Sequence, residues 1–145
     1  MSAPLASDER STLSSVLDEV LPPRDDGRLP GAGALGLADG VDTASRTSAL
    51  RPALTAALAS LAARGFSAQS KSEKLARLQA LAQDAPAVFQ ALLVHAYGAY
   101  YTHPRVVEAL GLPPRPPFPQ GYDVPATDFS LLDPVRRRAK LYREC

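Results

Sequence analysis

The chain has 145 residues, 46% of them apolar, with 16 basic against 15 acidic side chains and a formal net charge of +1. That length and apolar content suit one domain with a real core and argue against disorder throughout; the balanced charge offers no single-signed field to recruit nucleic acid or an anionic membrane surface. No window approaches the roughly 18 uninterrupted apolar residues of a membrane span, and a single cysteine, Cys145, leaves no internal disulfide and no multi-cysteine metal or haem site.

Residues 1–11 lack a basic cluster followed by an apolar run and carry no twin arginine, so no export signal is read there and a cytoplasmic location is expected; residues 1–7 are expected to be flexible. A first helix is predicted over 8–21, where Leu13, Val16, Leu17, Val20 and Leu21 share one face. Ser7 or Asp8 should cap it and Pro22-Pro23 should stop it. Residues 24–36, with Asp25-Asp26-Gly27 and Pro30-Gly31, carry turn chemistry and read as a flexible surface loop. Residues 35–48 are ambiguous, a weak helical pattern (Leu37, Val41) interrupted by Gly40.

From Ser48 a second firm helix is marked by Leu50, Leu54, Leu58 and Leu61, with Pro52 in its first turn and Gly65 at its end. Ser70 and Glu73 have capping-box spacing ahead of Leu75, Leu78, Leu81 and Ala82. Asp84 and Pro86 open the longest apolar stripe, with Phe89, Leu92, Leu93 and Ala96 followed by Tyr97, Tyr100 and Tyr101, which predicts the central helix. Thr102-His103-Pro104 closes it and opens a short helix over 105–110, terminated by Gly111.

Prolines at 113, 114, 116, 117, 119 and 125 exclude helix and central strand and favour an extended strap over 112–128. A last amphipathic helix is predicted over 130–142 from Leu131, Leu132, Val135, Ala139 and Tyr142, with Arg136, Arg137, Arg138, Lys140 and Arg143 as solvated cations in its last turns. With no period-2 alternation, the expected fold is all-α: one domain over 1–145, a small irregular bundle of about five to six helices carrying a Pro-rich extended C-terminal strap.

The candidate chemistry is thin. Gly31-Ala32-Gly33-Ala34-Leu35-Gly36 matches G-x-G-x-x-G, but no strand precedes it and no acidic residue lies about 20 positions on, so it reads as loop. His95 and His103 have no carboxylate at helical spacing to make a metal pair; His95 is expected on the polar side of the central helix, and His103 at a helix junction could hydrogen-bond a carbonyl or a partner. Asp18-Glu19 and Asp25-Asp26 are adjacent rather than opposed and read as solvated. No catalytic, cofactor-binding or metal-binding residue is assigned. What stands out is that eight of nine aromatics, all but Phe66, lie between Phe89 and Tyr142, together with the proline run. Prolines lower the ordering cost of binding, and tyrosine and arginine are enriched at interface hot spots.

The ordered features Leu21-Pro22-Pro23, Pro30-Gly31-Ala32, Tyr100-Tyr101-Thr102-His103-Pro104-Arg105-Val106, Ala109-Leu110-Gly111, the proline stretch and Gly121-Tyr122 resemble the gluconate 2-dehydrogenase subunit 3 family. The ending Leu131-Leu132-Asp133-Pro134-Val135-Arg136 to Tyr142-Arg143 is similar to that family's carboxy terminus. The resemblance implies a non-catalytic small subunit, without a cofactor of its own. It would bind and stabilise an FAD-carrying large subunit of the glucose-methanol-choline type that oxidises a sugar, sugar acid or related alcohol and passes electrons to a cytochrome c subunit or another acceptor. Family members commonly begin with a twin-arginine signal; without one, co-export with a signal-bearing partner to the periplasm is the alternative to the cytoplasm. The expected interface centres on Tyr97, Tyr100, Tyr101, His103, Pro104 and Arg105. It continues through Pro113, Pro114, Pro116, Pro117 and Phe118 to Gly121, Tyr122 and Tyr142. Two other readings stand beside it: a free-standing helical enzyme or ligand-binding domain with a pocket lined by Tyr97, Tyr100 and His103, and a transient maturation or export chaperone of the flavoprotein.

Overall fold

A computed structural model of the chain describes residues 2–116, 118, 119, 121, 124 and 126–139. The architecture is all-α, with seven α-helices, two 3₁₀ turns and no strand among the described residues. Contacts divide the chain into two units, Met1–Pro114 and Arg115–Cys145.

The first unit holds α1 (Ser7–Val20), α2 (Ala38–Ser45), α3 (Arg51–Ala63), α4 (Lys71–Asp84), α5 (Pro86–Tyr101) and α6 (Pro104–Ala109), with a 3₁₀ turn at Phe66–Ala68. α1 packs against α2, α3 and α4, and α5 meets the same three. Leu13, Val16 and Leu17 of α1, Leu54 and Leu58 of α3, Phe66, and Leu92 and Ala96 of α5 form the centre of the core, each at most 2% exposed.

Local signals explain most boundaries. Ser70 and Glu73 form the expected capping box of α4: the Ser70 N–H donates to Glu73 Oε2 at 2.9 Å and the Glu73 N–H to Ser70 Oγ at 3.4 Å. α3 ends at Gly65, whose φ of +65° is one a side chain would resist. α6 closes in a Schellman motif, with the Gly111 N–H on the Glu108 carbonyl at 2.9 Å and the Leu112 N–H on that of Val107 at 3.1 Å. α1 departs from expectation: its N-cap is Ala6, not Ser7 or Asp8. Glu9 accepts the Ala6 N–H at 2.9 Å, but Ala6 has no side-chain oxygen to return, so only half of a capping box forms.

The ambiguous stretch 35–48 contains α2. Its buried positions, Ala38, Val41, Asp42 and Ser45, follow i, i+3, i+4, i+7, and two of the four are polar. Asp42 and Arg51, each with a side chain 2% exposed, make a 2.5 Å ion pair. Arg51 also donates to Ser45 Oγ at 2.6 Å and to the carbonyls of Asp42 and Ala3 at 3.1 Å, while Arg46 takes the other Asp42 oxygen at 2.7 Å. Burial pulls the Asp42 carboxyl upward, but the hydrogen bonds from Arg46 and Arg51 and their charges outweigh it and hold its pKa below the ordinary value. The network reaches residues 1–7, expected to be flexible: the Leu5 N–H donates to Asp42 Oδ1 at 3.3 Å and the Leu5 side chain is buried in the core.

The loop 24–36 is likewise less free than its composition suggests. Gly31 and Ala32 are buried, the Ala32 N–H donates to the Leu21 carbonyl at 3.0 Å, and the Gly33 N–H donates to Asp18 Oδ1 at 2.7 Å. A Cβ on Gly33 would lie 2.1 Å from Asp18 Oδ2, and one on Gly31 would lie 2.9 Å from Pro23 Cδ. These glycines let the loop close onto the end of α1.

In the second unit, residues 129–139 do not form the expected continuous helix. A 3₁₀ turn, Phe129–Leu132, leads into α7 (Asp133–Arg136), and residues 137–139 are not helical. Pro134 supplies no N–H and its ring crowds the carbonyl four residues back, so an α-helix cannot run through 130–134. Over 112–128 the described residues contain no helix or strand. The expectations for Pro117, Tyr122, Pro125, Lys140, Tyr142, Arg143 and Cys145 lie outside the described residues.

Candidate partner-binding surface

The central helix buries only part of the apolar stripe that its sequence marks. Val88, Leu92, Ala96 and Tyr100 are buried, with Phe89 and Ala99 packed at the edge, whereas Tyr97 and Tyr101 are 44% and 51% exposed. α5 is apolar nearly all round, so the pattern cannot say which stripe faces inward. The three tyrosines therefore divide. Tyr100 is a core residue: its ring is buried and its hydroxyl donates to the Pro30 carbonyl at 2.8 Å, tying α5 to the glycine loop. Burial first, and the neighbouring Tyr101 second, push its pKa above the ordinary value.

Tyr101 packs edge-on against Tyr100 at 5.2 Å between ring centroids and tilted against Tyr97 at 6.3 Å. Val94, 58% exposed, precedes Tyr97 by three residues, and Tyr101 follows Tyr97 by four, so the three form an outward stripe on the helix whose opposite face is core. The turns beyond add Leu110 and Leu112, at 48% and 49% exposure. On one flank, an open groove of about 390 Å³ runs between Tyr100 and Tyr101 and the Leu21-Pro22-Pro23 turn. On the other, an open groove of about 460 Å³ separates α2 from α5, lined by Gly40, Ala44, Val94, His95, Gly98 and Thr102. A Cβ on Gly40 or Gly98 would meet nothing within 4 Å, so these small residues widen a surface channel and are not forced by packing.

His95 is partly exposed on the wall of that second groove. His103 is the N-cap of α6: its carbonyl accepts the Val106 and Val107 N–H groups at 2.9 and 3.0 Å, and its half-buried ring leaves Nδ1 without a hydrogen bond. Pro104 sits in the first turn of α6, where its missing N–H costs little, and Arg105 is exposed. Of the strap residues, Pro113, Pro114, Pro116 and Phe118 are exposed and Gly121 is half-buried. The expected interface is thus only partly assembled: Tyr97, Tyr101 and Arg105 face solvent, and Tyr100 does not.

The chemistry of the remaining motifs is internal. In the glycine loop, the Gly33 amide that a phosphate would need is taken by the Asp18 carboxylate. Glu19 pairs with Lys74 at 3.7 Å across α1 and α4, and Asp26 pairs with Arg24 at 3.0 Å within its loop. Among the described residues no three His, Cys, Asp or Glu side chains gather as a metal site, and no helix is long and apolar enough to cross a membrane. The buried Asp42, Ser45 and Arg51 are what sequence reasoning missed; their signal was two polar residues on the inward stripe of α2. Comparison of the chain with protein-family models, with curated proteins and with solved structures finds no match.

Proposed function

We propose that the chain is a non-catalytic accessory subunit that binds and stabilises the FAD-containing large subunit of a dehydrogenase acting on a sugar, sugar acid or related alcohol. The observation that carries this reading is the outward stripe of Val94, Tyr97 and Tyr101 on the central helix, with Leu110 and Leu112 exposed further along the chain. Large apolar and aromatic side chains grouped outside on a rigid helix suit a protein interface, where such residues supply most of the binding energy. The resemblance of the ordered motifs to the gluconate 2-dehydrogenase subunit 3 family supplies the kind of partner. The flavin, the substrate pocket and the transfer of electrons to a cytochrome c or other acceptor belong to partner subunits in this reading.

A ligand-binding domain would need Tyr97, Tyr100 and His103 around one cavity, and the Tyr100 hydroxyl is engaged by Pro30 instead. A transient chaperone would use the same surface and differs only in not staying bound. Co-expression with a candidate flavin-carrying large subunit tests the proposal. The expected result is co-purification in a stable complex and a loss of flavoprotein yield or activity when the small chain is deleted. A flavoprotein indifferent to the deletion, or near-stoichiometric flavin on the small chain alone, contradicts it.

A further inference from the structure

We infer that residues 129–138 form a clasp that seats on an apolar groove with an acidic rim on the flavin-carrying subunit, an inference that rests on the accessory-subunit reading. Phe129, Leu131, Leu132 and Val135 are 62%, 74%, 46% and 58% exposed, an unusual density of uncovered large apolar side chains. In a 3₁₀ turn residues three apart eclipse, so Phe129 and Leu132 point the same way, and Val135 follows three further on in α7. Arg136, Arg137 and Arg138 follow at once, all exposed.

The segment is already shaped for binding. The Asp128 carboxylate accepts the Ser130 N–H at 3.0 Å and caps the 3₁₀ turn, and Asp133 pairs with Arg136 at 3.5 Å. Such ordering before contact reduces what association must overcome. An apolar row beside three guanidinium groups complements an apolar groove bordered by carboxylates, where arginine can bind bidentately. A protein groove fits better than a bilayer. Surface-bound segments are ordinarily amphipathic helices of many turns, whereas α7 spans four residues and the described residues of 112–128 contain no helix that could extend it.

The test is binding of the full-length chain to the purified flavoprotein by calorimetry at two salt concentrations. Wild type should weaken as salt rises; a variant with Arg136→Glu, Arg137→Glu and Arg138→Glu should bind about tenfold or more weakly, with the salt dependence flattened. Phe129→Ser with Leu131→Ser should weaken binding by about tenfold and keep the salt dependence. Both variants should melt with wild type, since every substituted side chain is exposed. If wild type binds and both variants bind equally well, the clasp is refuted and the accessory-subunit reading stands; if wild type does not bind, both fall. Charge-dependent co-sedimentation with phosphatidylglycerol vesicles, with unchanged flavoprotein binding, would reassign the segment to a lipid surface and overturn the inference.

Discussion

The two units use similar residue types to opposite effect. In Met1–Pro114, apolar side chains from Leu5 to Val106 converge on one core, and even an aspartate and an arginine are drawn inside. In Arg115–Cys145 no described residue is buried, although Phe118, Val124, Phe129, Leu131, Leu132 and Val135 are as apolar as the core. The difference teaches that composition does not decide burial; a face needs a partner face. The first unit supplies its own through α1 and α5, and the second is left for another molecule in the reading proposed here.

That comparison can be broken most severely at Asp42. Asp42→Ala leaves Arg51 charged in a dry site, and the loss should be about 3–5 kcal/mol, a large part of a small domain's stability. Urea unfolding measures it, and a change under 1 kcal/mol would mean that the pair is not buried in solution. The same group sets an acid limit. Asp42 and Glu73 both have depressed pKa values, Glu73 through its hydrogen bonds from Ser70, so their contribution is present above the unfolded-state values of 3.8 and 4.5. It is lost as pH falls through the lower folded-state values. Stability should therefore decline below about pH 4.5, and Asp42→Asn should flatten that decline; an unchanged profile would contradict the network.

Smaller effects follow at the glycine loop. Gly33→Ala forces Asp18 aside and should cost about 1–3 kcal/mol, and combined with Asp18→Ala it should cost less than the sum of the two single changes. Additive losses in a thermal-melt cycle would show that the two residues do not meet. Tyr100→Phe removes the bond to Pro30 and should cost about 1 kcal/mol, whereas an unaltered melting point would detach the loop from α5. Smallest of all, Leu131→Ser should change the stability of the isolated chain by less than about 0.5 kcal/mol. A larger loss would give the second unit a buried role that its exposure denies.

How far the sequence carried this depended on whether a helix was amphipathic. α1, α3, α4 and α6 were legible because leucine or valine spacing, a capping box and terminal glycines agreed. α5 was legible as a helix, but the limits of its inward face were not, because apolar residues surround it; of the three tyrosines in the expected stripe and interface, Tyr100 is buried while Tyr97 and Tyr101 are exposed. α2 hid behind Gly40 and Asp42, whose low helix propensity is overridden by a tertiary ion pair nine residues away in sequence. The apolar periodicity of 130–142 predicts a longer carboxy-terminal helix than α7, because it carries no trace of the backbone limit that Pro134 imposes. Of the candidate surface, the residue types were legible and the sorting of each tyrosine was not, since that sorting depends on which neighbour covers it.

The proposal that this chain binds a flavin-carrying subunit is tested most directly by size-exclusion chromatography of the co-expressed pair with absorbance read at the flavin band. One peak containing both chains and carrying the flavin is expected, with no small-chain peak at the mass of a 15.4 kDa monomer. A flavoprotein peak without the small chain, and the small chain eluting alone, would contradict it.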